Sequence, residues 1–392
     1  MNFTNLQTLA IAALVVYFGM YLKKKISFID RYNLPSPVIG GFVFAICVSI
    51  LKSYGLVELT FLKNYEESLM IAFFASIGYS ASLRLLKEGG RLVLIFLALA
   101  VGGLLLQVGA GLGVAKILGE HPLMGILTGP IALTGGPGTA LAFAPLIEAK
   151  GVEGAPIIGL TAAMGGILIG GLLGNPIATF LIRKHRLKSE LTSQSEERSG
   201  EFLLRAFPGK DIVVTILALC FIMGIGTTVS SWINDLGVTL PVYIGSMVIA
   251  AIVRNIEDLR PTFHINPDWI EEIGGVALTL FIATAIMTLR LEELRHAALP
   301  LVMFLTTQAL FVAVFALGLS FKFTGKDYEA SVISAGYVGF MMGTSANAMA
   351  NMSSLVQKYG PSPKAFLVVP LVGSCFIDFI NAAIITLFIN LF

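Results

Sequence analysis

Residues 123–147 read LMGILTGPIALTGGPGTALAFAPLI, an apolar stretch interrupted at its centre by Thr134-Gly135-Gly136-Pro137-Gly138-Thr139. Gly and Pro cost a helix interior about 1 and about 3 kcal/mol relative to Ala. The centre is therefore predicted to be a turn between two helical arms. Residues 330–356 have the same character, interrupted by Gly343-Thr344-Ser345-Ala346-Asn347. Both stretches are read as helical hairpins that enter a membrane and leave on the same side. Around them lie ten further apolar runs, at 6–22, 38–51, 69–83, 92–118, 156–182, 212–233, 240–253, 273–289, 297–321 and 365–391. A spanning helix needs about 20 such residues. The predicted fold class is an all-α polytopic membrane protein.

The composition excludes the soluble alternatives. Hydrophobic residues make up 56% of the chain and charged residues 13%, against a usual globular share of about 25%. Mean hydropathy is +0.85. A water-soluble fold of 392 residues could not hide so much apolar surface, so the bilayer is a predicted partner. A net charge of +2 gives no support to nucleic-acid binding. Cys47, Cys220 and Cys375 stand singly in apolar runs and read as small core residues, not as disulfides or metal ligands. The run at 6–22 is followed, not preceded, by Lys23, Lys24 and Lys25, the pattern of a first transmembrane helix and not of a cleaved signal peptide.

The only strongly polar stretch, 183–210, sits near the midpoint and reads as a linker. It divides the chain into a first half, 1–182, holding the hairpin at 123–147, and a second half, 211–392, holding that at 330–356. The halves repeat. Leu34-Pro35 recurs as Leu240-Pro241 and Leu83-Arg84-Leu85 as Leu289-Arg290-Leu291, both 206 residues on. Gly138-Thr139 recurs as Gly343-Thr344 after 205, Asn175 meets Asn381 after 206, and Gln107 and Gln308 hold similar places. With the N-terminus outside and five spans per half, 20 of the 26 Lys and Arg fall inside; Lys52, Lys63, Lys116, Lys150, Arg290 and Arg295 fall outside. That split obeys the positive-inside rule. It predicts both termini outside, the linker in the cytoplasm and, because five is odd, two halves of inverted topology.

Inverted repeats with helices broken near mid-membrane are the architecture of secondary transporters. Helix N-termini at the breaks offer N–H groups to anions, while hydroxyls and unwound carbonyls suit a cation. The candidate solute-binding residues are therefore Thr134, Gly135, Gly136, Gly138 and Thr139 in the first hairpin, and Gly343, Thr344, Ser345 and Asn347 in the second. Asp378 lies inside the last apolar run with at least eight uncharged residues on each side. An ionised carboxylate at membrane depth is costly and by default functional. Asn381, at i+3, shares its helix face. Asp378, Asn381, Asn351 and Asn175 are the candidate oxygen donors for Na+, a hard cation. Asn347 and Asn351, four apart, project together, although Asn also serves to bridge membrane helices. Arg84 and Arg290 sit at span ends and read as interface anchors. No catalytic residue is predicted: a nucleophile–base pair is missing from the spans, and a channel would repeat its pore element about an axis.

The whole chain resembles the bacterial sodium/glutamate symporter family. The likeness is carried by Phe73-Phe74-Ala75-Ser76-Ile77-Gly78, Leu123-Met124-Gly125, the Gly-Gly-x-Gly-Thr motif at Gly135 to Thr139, and Ala350-Asn351-Met352. The most specific tract is Ala365-Phe366-Leu367-Val368-Val369-Pro370-Leu371-Val372-Gly373 followed by Phe376-Ile377-Asp378. The resemblance implies two inverted five-helix domains with re-entrant loops, a homodimer in the bacterial inner membrane, and Na+-coupled uptake of L-glutamate. It also implies a mobile transport domain moving past a dimeric scaffold. Pro137 departs from the His that the family carries in the first motif, which leaves aspartate, a di- or tricarboxylate, or H+ coupling as the alternative.

Overall fold

The computed structural model describes residues 2–32, 34–55, 59–189, 209–236, 240–260, 265–289 and 294–392. Most of the predicted linker, and Arg290, lie outside the described residues. A parallel pair of two-residue strands, β1 (Asn2–Phe3) and β2 (Thr60–Phe61), ties the N-terminus to the loop beyond the second long helix. All other regular structure among the described residues is helical. The first half runs α1 (Asn5–Lys25), α2 (Ser27–Arg31), α3 (Ser36–Ser53), α4 (Glu66–Ser80), α5 (Leu83–Glu88), α6 (Gly90–Leu118), α7 (Pro122–Ile126), α8 (Gly136–Ala149) and α9 (Ala155–His185). The second runs α10 (Gly209–Asp235), α11 (Val242–Leu259), α12 (Pro267–Met287), α13 (Leu294–Phe315), α14 (Phe321–Thr324), α15 (Tyr328–Met341), α16 (Ser345–Tyr359), α17 (Pro363–Val372) and α18 (Asp378–Leu391). One-turn π segments follow α7 (Leu127–Ile131), α13 (Ala316–Ser320) and α17 (Gly373–Ile377).

Among the described residues, seven helical stretches are long and apolar enough to cross a membrane: 5–25, 36–53, 90–118, 155–185, 212–235, 267–287 and 298–324. The other three predicted spans differ for identifiable reasons. Helix α4 has only 15 residues. Helix α11 closes on Arg254, Asn255, Glu257 and Asp258, too polar for the bilayer core. The run at 365–391 is divided by the π turn between α17 and α18.

The helices pack as two groups, each drawing on both halves. One contains α1, α3, α4, α10, α11 and α12. The other contains α6 to α9 and α13 to α18. Small residues permit the closest approaches, as in membrane proteins generally. A Cβ placed on Gly19 of α1 would stand 2.0 Å from the Ser36 carbonyl oxygen of α3, and one on Gly226 of α10 would stand 2.1 Å from Ser246 Cα of α11. Between the groups, α12 touches α8, and α4 touches the Gly373–Ile377 turn and α18. Leu6, Leu14 and Tyr17 on α1 and Leu217 and Phe221 on α10 are exposed. Cys47 and Cys220 are exposed as well, which corrects their reading as core residues. In lipid an apolar thiol gains nothing from burial, so an apolar run does not say which of its faces is covered.

Candidate functional site

Two interruptions more than 200 residues apart in sequence come together. At the first, Gly129 leaves helical geometry (φ −104°, ψ −115°) beside Pro130, which has no N–H to continue the ladder. The chain turns through Ala132 to Gly135, with Leu133 N–H bonded to the Gly129 carbonyl at 2.8 Å and Gly135 N–H to the Pro130 carbonyl at 3.0 Å. Gly136 then opens α8 at φ +71°, a left-handed conformation that costs any residue with a Cβ. At the second interruption α15 ends at Met341, and Thr344, in extended conformation, caps α16 by accepting the Asn347 N–H. A Cβ on Gly136 would lie 3.4 Å from Thr344 Cγ2, so the two turns face each other.

Gln107 of α6, 1% exposed, joins them. Its Nε2 donates to the Met341 carbonyl at 2.7 Å, and its Oε1 accepts from Thr134 Oγ1 at 2.8 Å. The backbone carbonyl of Gln107 accepts from Gln308 Nε2 at 2.8 Å. The Gly373–Ile377 turn completes the junction, since a Cβ on Gly373 would fall 2.9 Å from Ser345 Oγ. It delivers Asp378 as the first residue of α18.

A cavity of about 570 Å³ opens at this junction, lined by Thr134, Gly135, Pro137, Gly138, Thr344, Ser345 and Asp378. The facing wall comes from the other helix group: Ser76 and Tyr79 of α4, Arg254 of α11, and Glu271 and Thr279 of α12. Of the candidate solute residues, Gly136, Thr139 and Gly343 lie behind the lining; Thr139 is 5% exposed and packs beneath Gly135. Asn347 is elsewhere. With Asn351 and Asn175 it lines a second cavity of about 380 Å³ beside Arg31 and Tyr32. Asn347 Nδ2 donates to the Ile167 carbonyl at 3.0 Å, and Asn351 Nδ2 to the Gly170 carbonyl at 3.1 Å. The two amides do project together, onto α9.

Of the candidate cation donors, only Asp378 lines the first cavity. Asn381, 1% exposed, donates to the Pro130 carbonyl at 3.0 Å, while its Oδ1 is buried without a hydrogen-bond partner. Asn175 Oδ1 is in the same condition. Among the described residues no three His, Cys, Asp or Glu side chains gather as a metal cluster. A cation held beside Asp378 would rest on hydroxyl and backbone carbonyl oxygens together with that carboxylate, a set that suits a hard monovalent ion.

Sequence reasoning passed over Arg254, Tyr79 and Glu271. Arg254 counted only as a charge near a span end. The signal available was the Arg254–Asp258 spacing, i to i+4 on a helix that is otherwise apolar, a pattern that favours an ion pair.

The sodium/glutamate symporter family profile matches residues 1–361. A sodium/glutamate symporter of Escherichia coli K12 is 36% identical over 392 residues, covering 99% of this chain and 98% of the relative. One from Haemophilus influenzae is 35% identical over 390 residues, covering 98% and 96%. The motif tracts, the paired breaks and the full-length match agree, and the chain belongs to the sodium/glutamate symporter family.

Proposed function

We propose that the protein is a transporter, not an enzyme, that moves L-glutamate into the cell with Na+ by alternating access. The observation that carries this reading is the junction of two helix interruptions, one from each half, in a single cavity with Asp378. Backbone N–H groups at the starts of α8 and α16 suit a carboxylate. Asp378, with the hydroxyl-bearing Thr134, Thr344 and Ser345 on the same lining, suits Na+.

Two inverted halves are supported by the helix bounds: α3 and α11 begin 206 residues apart and end 206 apart. They are supported also by contacts that join only loops assigned to one side. Ser82 Oγ donates to Asp258 at 2.5 Å and Ser189 Oγ to the Pro361 carbonyl at 2.8 Å, both within the set assigned inside. Lys63 Nζ meets Thr288 Oγ1 at 3.3 Å within the outside set. The interruptions at 123–147 and 330–356 then act as re-entrant hairpins from opposite faces, in an inner-membrane protein with both termini outside. The division into two helix groups, with the cavity between them, supports an elevator-like motion in which the group carrying the hairpins slides against the other. The exposed apolar faces of α1 and α10 suit lipid or the interface of a homodimer.

The test is reconstitution. In proteoliposomes an inward Na+ gradient drives accumulation of labelled L-glutamate against its own gradient. Equal uptake on a proton gradient without Na+ would remove Na+ from the coupling. Because Pro137 lines the cavity, competition by aspartate and citrate reads the solute range in the same preparation.

A further inference from the structure

Among the described residues, the cavity wall opposite the two interruptions carries one cation, Arg254. Arg254 stands in the last turns of α11 with its side chain 13% exposed, and its Nε lies 3.1 Å from Asp258 Oδ1. Its guanidinium carbon is 5.4 Å from the ring centroid of Tyr79, which is itself 1% exposed and lines the same cavity. Asp258 is divided between two partners, because its other oxygen accepts from Ser82 Oγ at 2.5 Å. The contact with Arg254 Nε lacks hydrogen-bond geometry, and that N–H is buried without a hydrogen-bond partner. A guanidinium carries five donors in a planar fork that matches a carboxylate. The residue 206 positions earlier is Val48, so the cation belongs to one half alone.

We infer that Arg254 recognises the side-chain carboxylate of the solute from the stationary wall of the cavity, with Asp258 holding the guanidinium in place until that carboxylate arrives. The inference rests on the reading of the protein as a glutamate symporter and adds to it the group that separates a dicarboxylic amino acid from its side-chain amide. The interruptions provide N–H groups for one carboxylate; a second carboxylate brought into a confined space needs a charge of its own. Glu271 and Asp378, the carboxylates on the lining, repel such a group and suit the solute's ammonium or the cation. Aromatic packing against Tyr79 keeps the guanidinium ordered, so little freedom is lost when it binds.

The experiment is competition for labelled L-glutamate uptake by unlabelled L-glutamate and L-glutamine at saturating Na+ in proteoliposomes, with wild type, Arg254→Gln, Arg254→Lys and Asp258→Asn. Arg254→Gln should weaken glutamate by about 10-fold or more, the loss of a charge-assisted hydrogen bond, while glutamine is little affected. Arg254→Lys should recover part of the preference, since it keeps charge without the fork. Asp258→Asn frees the guanidinium and should raise the preference several-fold. A packing role would lower the yield of monodisperse protein and leave the glutamate-to-glutamine ratio unchanged. Folded Arg254→Gln with the wild-type ratio overturns the inference. Should that variant not fold, an unchanged or reduced ratio in Asp258→Asn overturns it. Wild type without Na+-driven glutamate uptake would overturn the functional reading instead, before any variant is compared.

Discussion

The Gln107 clamp predicts a measurable coupling between the two interruptions. Replacing Gln107 with Leu keeps most of its volume and removes two buried side-chain hydrogen bonds, to the Met341 carbonyl and from Thr134. Each buried polar group left without a partner costs about 1–3 kcal/mol. The Thr134 hydroxyl keeps a weaker alternative, because the Met341 carbonyl lies 3.4 Å away, so its own loss falls at the low end. The same contact gives the Met341 carbonyl a weak donor, so the expected destabilisation is about 1–3 kcal/mol. Thr134→Val removes the hydroxyl at nearly constant shape and strands only Gln107 Oε1, for about 1–2 kcal/mol.

The decisive quantity is the double variant, scored by denaturant unfolding in one fixed detergent. If the side chains bond as described, the double costs less than the sum of the singles, with a coupling of about 1 kcal/mol. Additivity within about 0.3 kcal/mol would refute the clamp, because residues without a shared interaction add to that accuracy. The single variants should also weaken glutamate uptake at limiting solute, since Gln107 holds both interruptions that line the cavity.

Three further outcomes are expected. Asp378→Asn should raise the Na+ concentration for half-maximal uptake by about 10-fold or more while glutamate affinity at saturating Na+ changes much less; folded protein with wild-type Na+ dependence would remove Asp378 from the mechanism. Cysteine at Lys150, beside the first interruption, should react with an impermeant thiol reagent from outside and cysteine at Lys358, beside the second, from the cytoplasm, and labelling of both from one side would refute inverted hairpins. Gly78→Ala should destabilise the α4–α11 contact by about 1–3 kcal/mol, because its Cβ would stand 2.0 Å from the Met247 carbonyl oxygen; Gly109→Ala, with nothing within 4 Å, should not, and equal behaviour of the two would refute the close approach.

The interruptions were legible in the sequence because their cause is largely local: Gly135-Gly136-Pro137 disfavours a helix interior and suits a helix start, and Gly343-Thr344-Ser345 combines low helix propensity with a good N-cap. Asp378 was legible for a related reason, since an isolated carboxylate in an apolar run is conspicuous without tertiary knowledge. What stayed hidden depends on which faces meet. In a soluble helix the apolar stripe marks the buried face. Here lipid and protein interior are equally apolar, so Cys47 and Cys220 could not be placed, and Gln107 could be marked as a repeat element but not as the bridge between Thr134 and Met341.

Helix α16 makes the same point within a single element. Thr344, Ser345 and Ala346 line the first cavity, while Asn347 and Asn351 line the second. Sequence adjacency suggested one site; the helix turns about 100° per residue and sends the first turn and the following Asn pair toward different neighbours. The amides there donate to the Ile167 and Gly170 carbonyls of α9, in the stretch where Gly166, Gly170 and Gly174 let α9 approach Met342, Asn347 and Asn351 closely. Bonds of that kind hold α16 against α9 through its Asn face and leave its N-terminus on the lining of the first cavity. In the proposed transporter, a terminus that binds and releases the solute while the body of the helix stays fixed needs this separation, and the alternation of Ser345 and Asn347 along one turn provides it.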